Sequence, residues 1–157
     1  MVVDPDGEIV ADDPRRADVS ALLEKHLTFA RSHSPPEDVH ALGVDGLVDP
    51  AVTFYGFRRH GQLLGVGALK ELGHGHAEIK SMHTAESARG HGVGRAMVDH
   101  LIAEARRRGL RRISLETGTM VAFAAARSLY RSVGFTPCPA FADYVDSPNS
   151  VCMTLEL

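Results

Sequence analysis

The chain has 157 residues and a formal charge of −3 at neutral pH. This length suits one domain with a buried core, so we expect residues 1–157 to form a single domain. The charge gives no indication of a nucleic-acid or membrane-surface partner. No apolar run approaches the length of a membrane span, and the acidic start, Met1 to Asp13, does not resemble a signal peptide. We therefore expect a cytoplasmic protein.

The first half of the chain predicts helices followed by paired strands. The elements are, in chain order, a strand at 9–11, a helix from Asp13 to about Arg31, a short helix within 37–48, and strands at 52–57, 62–70 and 76–84. Asp13 and Pro14 are typical of a helix start. Turns at His60-Gly61 and His74-Gly75 join the three later strands. Gly65 and Gly67 indicate the close approach of a neighbour or ligand to the middle one.

The strand at 76–84 is predicted to alternate between two faces. One face receives Ala77, Ile79 and Ser81, and the other receives Glu78, Lys80, Met82 and Thr84. A regular strand would thus place the charged side chains and Met82 on the same side of the sheet.

The second half predicts a helix, a strand, a helix and a closing strand. Val93, Met97, Leu101 and Ala105 repeat every four residues, and Gly109 stops that helix. A strand at 112–116, a helix at 121–133 and a strand at 151–157 follow. Because a strand, a helix and a strand in this order imply a parallel pair, we expect a mixed α/β sheet flanked by helices.

A glycine-rich segment, Arg89-Gly90-His91-Gly92-Val93-Gly94, lies between a predicted strand and a predicted helix. Main-chain N–H groups in such a loop and at the helix start can surround a phosphate. A P-loop is a poor interpretation because no Gly-Lys pair follows. A dinucleotide fingerprint needs a third glycine where Arg95 stands, although Glu116 lies where a ribose-binding acid would be expected. Arg89, Gly92 and Gly94 fit an Arg-x-x-Gly-x-Gly motif instead.

With this motif the chain resembles the GNAT superfamily of acetyl-CoA-dependent N-acetyltransferases over residues 52–136. Glu78 to Thr84 is similar to the strand before the family's loop, and Leu129 to Phe135 is similar to its Leu-Tyr-x-x-x-Gly-Phe signature. The resemblance implies a mostly antiparallel sheet with one splayed parallel strand pair, acetyl-CoA as co-substrate and no metal. The residues that match its cofactor-binding positions are Met82, His83, Thr84, Arg89, Gly90, His91, Gly92, Val93, Gly94 and Arg95.

The resemblance also suggests two catalytic residues. Tyr130 matches the tyrosine that protonates the leaving thiolate, and the alternative is that it packs a helix against the sheet. Glu78 matches a glutamate that some members use as a general base, and the alternative is an ion pair with Lys80 that weakens it as a base.

Four residues are candidates for the acceptor site. Lys80 is a candidate partner for an acidic group on the acceptor, and the alternative is that it only pairs with Glu78. Glu116 is a candidate for lining the site, and the alternative is that it belongs to an ordinary turn at the strand end. Phe141 and Tyr144 are candidate pocket walls or core residues. The nine histidines show no convergent metal-ligand spacing, and Cys138 and Cys152 lie far apart in the sequence.

Two positions depart from the family. Phe123 stands where an asparagine is common, and Glu86 stands where a proline is common. A carboxylate beside phosphates is unfavourable unless it points into water.

These observations predict an enzyme that moves the acetyl group of acetyl-CoA to a primary amine of a small molecule or peptide by direct attack in a ternary complex. The rivals are a catalytically silent acyl-CoA-binding module and a dinucleotide-dependent oxidoreductase. Gly67 to Leu72 and Leu115 to Gly118 also resemble a bacterial group of small acetyltransferases whose acceptor is not settled. Homodimers are common in the family, although no exposed apolar stripe argues for one here.

Overall fold

The computed structural model describes residues 7–157, so the first six residues of the acidic start lie outside the described part. The strands are β1 Gly7–Ala11, β2 Val52–Arg59, β3 Gln62–Gly73, β4 His76–Thr84, β5 Arg112–Gly118, β6 Thr136–Cys138 and β7 Ser150–Glu156. The α-helices are α1 Ala17–His33, α2 Val44–Leu47, α3 Val93–Arg107 and α4 Ala124–Val133. Single 3₁₀ turns cover Pro36–Asp38, Glu86–Ala88 and Val121–Phe123.

The strands described form one sheet in the order β1-β2-β3-β4-β5-β7-β6. Neighbours run antiparallel except for β4 and β5, which are parallel and are connected through α3. The predicted mixed, mostly antiparallel sheet with one parallel pair is confirmed.

Helices cover both faces of this sheet and define its two cores. On the α1 face, α1 and α2 bury Val19, Leu23 and Leu47 against β2 and β3. On the α3 face, Met97 and Leu101 of α3 pack with residues of α4 and β5. The four-residue repeat of α3 points into this second core, as its sequence predicts.

Gly65 and Gly67 of β3 allow α3 to lie directly on the strand. A Cβ atom at Gly67 would stand 2.7 Å from Cγ of Met97, and one at Gly65 would stand 2.7 Å from Cγ1 of Val93. The close neighbour predicted for these glycines is therefore the start of α3, the helix that follows the glycine-rich loop.

The predicted alternation of β4 is wrong beyond Lys80, because the strand contains a bulge. Val66 pairs with His83 and Ala68 pairs with Lys80, so Gly67 alone faces two residues of β4. Ser81, the first of these two residues, has a φ of 57°. A bulge of this kind reverses the side-chain alternation of the strand after it. Met82 consequently packs against the core of the α3 face, whereas Glu78 and Lys80 stay on the α1 face.

Three further expectations need correction. Helix α1 begins at Ala17 because the Asp13 carboxylate accepts a hydrogen bond from the Arg15 N–H (2.9 Å) and closes a separate turn before the helix. Residues 37–48 form one short turn of helix at each end and an irregular stretch between, where the Lys80 ammonium donates to the His40 carbonyl (3.3 Å).

The unpredicted strand β6 pairs with β7 and sets Cys138 directly opposite Cys152; both cysteines are free.

Candidate active site

The parallel pair of strands separates after a short ladder. In the described residues β4 and β5 pair at three positions, the last joining Glu78 to Ser114. Beyond Ser114, β5 continues to pair with β7 as far as Gly118, while β4 continues beside β3 to Thr84. The facing edges of β4 and β5 are therefore open between these points, and their main-chain polar groups can bind a ligand.

A cavity of about 610 Å³ passes through this opening from one face of the sheet to the other. On the α3 face it is lined by the glycine-rich loop and by Ala126, Leu129 and Tyr130 of α4. On the α1 face it is lined by residues of α1, by the segment 38–41 and by Glu116 and Tyr144. We call these two parts the loop half and the acceptor half of the cavity.

The glycine-rich loop presents unpartnered main-chain donors to the loop half. Gly90 and Gly92 have φ values of 79° and 82°, in the left-handed region that glycine tolerates. Gly92 is the N-cap of α3 and has no side-chain capping bond, and the first helical bond runs from the Ala96 N–H to the Gly92 carbonyl (3.0 Å). The N–H groups of residues 93–95 thus have no partner within the helix and form an anion site.

The residues predicted to bind the cofactor lie together, with one exception. The cavity lining includes Met82, His83, Thr84, Arg89, Gly90, Gly92, Val93, Gly94 and Arg95. His91 is exposed and is not in the lining, so the structure directs it to solvent. Glu86 is also exposed, which removes the unfavourable carboxylate from the phosphate site. In the described part of the chain, the Ser81 hydroxyl of the cavity lining is buried without a hydrogen-bond partner.

Tyr130 lies at the centre of the cavity wall, with only 6% of its surface exposed. Its ring contacts Phe135 edge-on, with centroids 5.8 Å apart. Burial raises the pKa of Tyr130 above its usual range, and the nearby Glu116 carboxylate adds to the effect. The phenol is therefore protonated at neutral pH and has a proton to donate.

Glu78 is buried behind Lys80 and is not in the cavity lining. Its Oε2 atom accepts a short hydrogen bond from the Tyr144 hydroxyl and lies 3.4 Å from the Lys80 ammonium. The ammonium also donates to the Tyr144 hydroxyl (2.9 Å) and to the His40 carbonyl (3.3 Å). Burial, followed by the charge of Glu78, raises the pKa of Tyr144 far above its usual range.

Glu116 projects from β5 into the acceptor half of the cavity. Its Oε1 atom accepts a hydrogen bond from the Ser150 hydroxyl at 2.9 Å. Burial raises the pKa of Glu116, and this effect outweighs the Ser150 hydrogen bond and the charges of His40 and Lys80. A carboxylate in this state is a better proton acceptor than an exposed one.

The two aromatic candidates occupy different positions. Tyr144 lines the cavity, whereas Phe141 lies behind it, with ring centroids 5.0 Å from Tyr144 and 5.5 Å from His76. Phe123, which departs from the family, also lines the cavity and packs edge-on against Phe29 of α1 at 5.4 Å. The departure thus replaces a polar contact with an aromatic wall.

Sequence reasoning missed the contribution of α1. His26 and Phe29 line the cavity, and Nδ1 of His26 lies 3.3 Å from Nδ1 of His83. Burial lowers the pKa of each histidine to about 4, so both rings are neutral at pH 7. The helical spacing of the sequence indicates this position, because His26 lies four residues after Leu22 and three after Leu23, on the buried face of α1.

Residues 7–157 have neither a metal-binding cluster nor a membrane-spanning helix. No group of three or more histidine, cysteine, aspartate or glutamate side chains is arranged to hold a metal ion. No helix in this part of the chain has the length and apolar character needed to cross a membrane.

Comparison with known proteins identifies the class to which this site belongs. Residues 17–135 match the profile of the Acetyltransferase (GNAT) family. The chain is 47% identical over 149 residues to the uncharacterized N-acetyltransferase YsnE of Bacillus subtilis. The aligned residues cover 95% of this chain and 99% of YsnE. The protein is therefore an N-acetyltransferase, and the chain belongs to the GNAT acetyltransferase family.

Solved structures have the same fold. A structure of a protein from Klebsiella pneumoniae, described as an acyl-CoA N-acyltransferase, is 28% identical in sequence to this chain and superposes with a TM-score of 0.78. The match covers 96% of this chain and 97% of that chain. An acetyltransferase of Bacillus subtilis in complex with CoA is 21% identical with a TM-score of 0.72, covering 96% of this chain and 99% of that one.

Proposed function

We propose that this enzyme transfers the acetyl group of acetyl-CoA to a primary amine of a small molecule or peptide, by direct attack within a ternary complex. The observation that carries the proposal is the cavity that crosses the sheet between the separated ends of β4 and β5. A thioester that enters from the loop half and an amine that enters from the acceptor half meet at the opening between the strands. No acetylated enzyme is needed in such an arrangement.

The loop half suits the diphosphate and pantetheine arm of coenzyme A. The unpartnered N–H groups of residues 93–95 and the positive end of α3 would hold the diphosphate. Arg89 and Arg95 add positive charge at the same place. Main-chain groups of Met82, His83 and Thr84, on the open edge of β4, would bind the arm, and an N–H there would polarise the thioester carbonyl. One such donor is worth about 3 kcal/mol in the transition state.

Tyr130 would give its proton to the departing thiolate, since it is buried, protonated and in the wall of the cavity. For the amine proton, two carboxylates lie on the α1 face of the separated strands. Glu78 is the sequence-based candidate, and Glu116 is the carboxylate that lines the cavity. We further propose that the chain acts as one domain in the cytoplasm; size-exclusion chromatography would show whether it is a monomer or a homodimer.

A thermal-shift comparison of acetyl-CoA with NAD tests the first step of the proposal. At a hundred times its dissociation constant, a ligand stabilises a protein by about 2.7 kcal/mol, or about 5–10 °C for a chain of this size. Stabilisation by acetyl-CoA should be followed by release of free thiol when a panel of primary amines is added. Stabilisation without turnover would favour a silent acyl-CoA-binding module, and stabilisation by NAD alone would favour an oxidoreductase.

A further inference from the structure

Three charged side chains line the acceptor half of the cavity: Asp38, Lys80 and Glu116. Asp38 accepts hydrogen bonds from the Ser147 hydroxyl (3.0 Å) and the Asn149 amide (3.3 Å), which tie the segment before β7 to the segment after α1. Both bonds are accepted by the Oδ2 atom of Asp38, so this oxygen holds two segments of the protein together.

Lys80 is engaged as well. An ammonium has three N–H donors, and in the described structure Lys80 has three acceptors, which are the Glu78 carboxylate, the Tyr144 hydroxyl and the His40 carbonyl. An acidic group on the acceptor would have to displace one of them. The earlier candidate role of Lys80, binding such a group, therefore has no free donor to support it.

Glu116 differs from both by its position, because it stands on β5 two residues beyond the last pair with β4, at the opening between the strands. A carboxylate has about four lone-pair sites. Among residues 7–157 the hydrogen-bond donor to Glu116 is the Ser150 hydroxyl, on the Oε1 atom, so Oε2 is left for a ligand. Glu116 interacts electrostatically with titratable groups of β4, β7, α4 and the neighbouring loops. These groups are His40, Glu78, Lys80, Tyr130, Tyr144 and Cys152.

The other side chains of the acceptor half are apolar groups, hydroxyl groups and the imidazoles of His26, His40 and His83. Phe29 and Phe123 form an aromatic wall, and Val39 lies in the same lining. His26 and His83 are neutral because burial lowers the pKa of each to about 4. A ligand that matches this surface has one positive charge for Glu116 and an apolar body for the aromatic wall.

We infer that Glu116 binds the acceptor's ammonium and removes its proton, and that the acceptor is a primary amine on an uncharged, apolar or aromatic body. This inference rests on the proposed function and names its acceptor class and its base. Glu78 then serves as a positioning residue, because it holds Lys80 and Tyr144 beside the cavity.

The proton balance of the step is complete with these residues. The ammonium gives one proton to Glu116, which passes it to solvent. The free amine nitrogen then bonds to the thioester carbonyl carbon, and the bond from carbon to sulfur breaks. The sulfur takes the proton of Tyr130, and the second proton lost by the nitrogen restores the phenol. The products are the N-acetyl amine and the free thiol.

The acceptor class is tested with amines of similar size and different charge. With acetyl-CoA saturating, we expect kcat/KM for phenethylamine to exceed that for phenylalanine by about tenfold or more, since the carboxylate of phenylalanine meets no free donor of Lys80 in the acceptor half. Equal or better turnover of phenylalanine would overturn the assignment. Absence of turnover with every amine would instead count against the proposed function.

The base is tested by comparing Glu116→Gln with Glu78→Gln. Glu116→Gln should lower kcat by about 100-fold or more and abolish the acidic limb of the pH profile, while acetyl-CoA still raises the melting temperature. Glu116→Asp should restore part of the rate with an acidic limb. Glu24→Gln, on the exposed face of α1, is the matched control and should behave as wild type. If Glu116→Gln keeps its acidic limb and Glu78→Gln loses it, Glu78 is the base and the inference is wrong.

Discussion

Replacing Lys80 by methionine should destabilise the protein through the carboxylate that it leaves behind. The side chains of Lys80 and Glu78 are 10% and 4% exposed, with the ammonium 3.4 Å from the carboxylate. Removing one member of a buried ion pair costs about 3–5 kcal/mol, because the other charge stays buried without compensation. Tyr144 still donates to Glu78, so we expect the lower end, about 3 kcal/mol, or about 6–12 °C in melting temperature.

A double-variant cycle separates this effect from lost packing. Lys80→Met, Glu78→Gln and the combined variant are unfolded in urea at pH 7, with Lys25→Met on the exposed side of α1 as the control. The combined variant should recover about half of the loss, because it no longer buries a charge. A change of less than about 0.5 kcal/mol in Lys80→Met would refute the buried-pair argument, since that is the range of neutral surface changes.

Three other outcomes follow from the structure. Tyr130→Phe should lower kcat by about 100-fold or more, within the range for general acids, and leave the acetyl-CoA thermal shift unchanged; wild-type turnover would dismiss the proton-donor role. Gly92→Ala places a side chain at a φ of 82° and should cost about 1–2 kcal/mol and raise KM for acetyl-CoA, whereas Gly43→Ala, at a φ of −77° with open space around it, should do neither. Because burial lowers the pKa of His26 and His83 to about 4 in the folded state, stability should be full above pH 6.5 and fall as the pH drops toward 4. His26→Phe should lose about 1–2 kcal/mol of that dependence in urea titrations, and an unchanged slope would show that the rings are not held neutral.

Short-range features were readable from the sequence because they depend on neighbouring residues. The repeat of Val93, Met97 and Leu101 predicted the buried face of α3, and the structure confirms it. His60 and Gly61, at φ values of 49° and 79°, form the predicted turn between β2 and β3. The left-handed glycines of the loop before α3, Gly90 and Gly92, are likewise a local property of the sequence.

Features that depend on the register between distant strands could not be obtained in this way. The amino-acid sequence of β4 does not indicate that Ser81 takes a φ of 57°. The bulge at Ser81 forms only when β4 pairs with β3. This one residue decides that Met82 and Lys80 point to opposite sides of the sheet. The position of Cys138 opposite Cys152 likewise depends on the pairing of β6 with β7, which the sequence around either cysteine does not indicate.

The charges of the site show the same division. The sequence by itself determined which ionisable groups stand on β4 and β5, and it left open whether Glu78 is a general base or the ion-pair partner of Lys80. Only the tertiary structure decided that Tyr144 and His40 take up the remaining donors of Lys80 and that Glu116 is left facing the cavity. The physical reason is that a hydrogen bond joins residues that are adjacent in space, and those residues come from segments 40 to 64 positions from Lys80 in the chain.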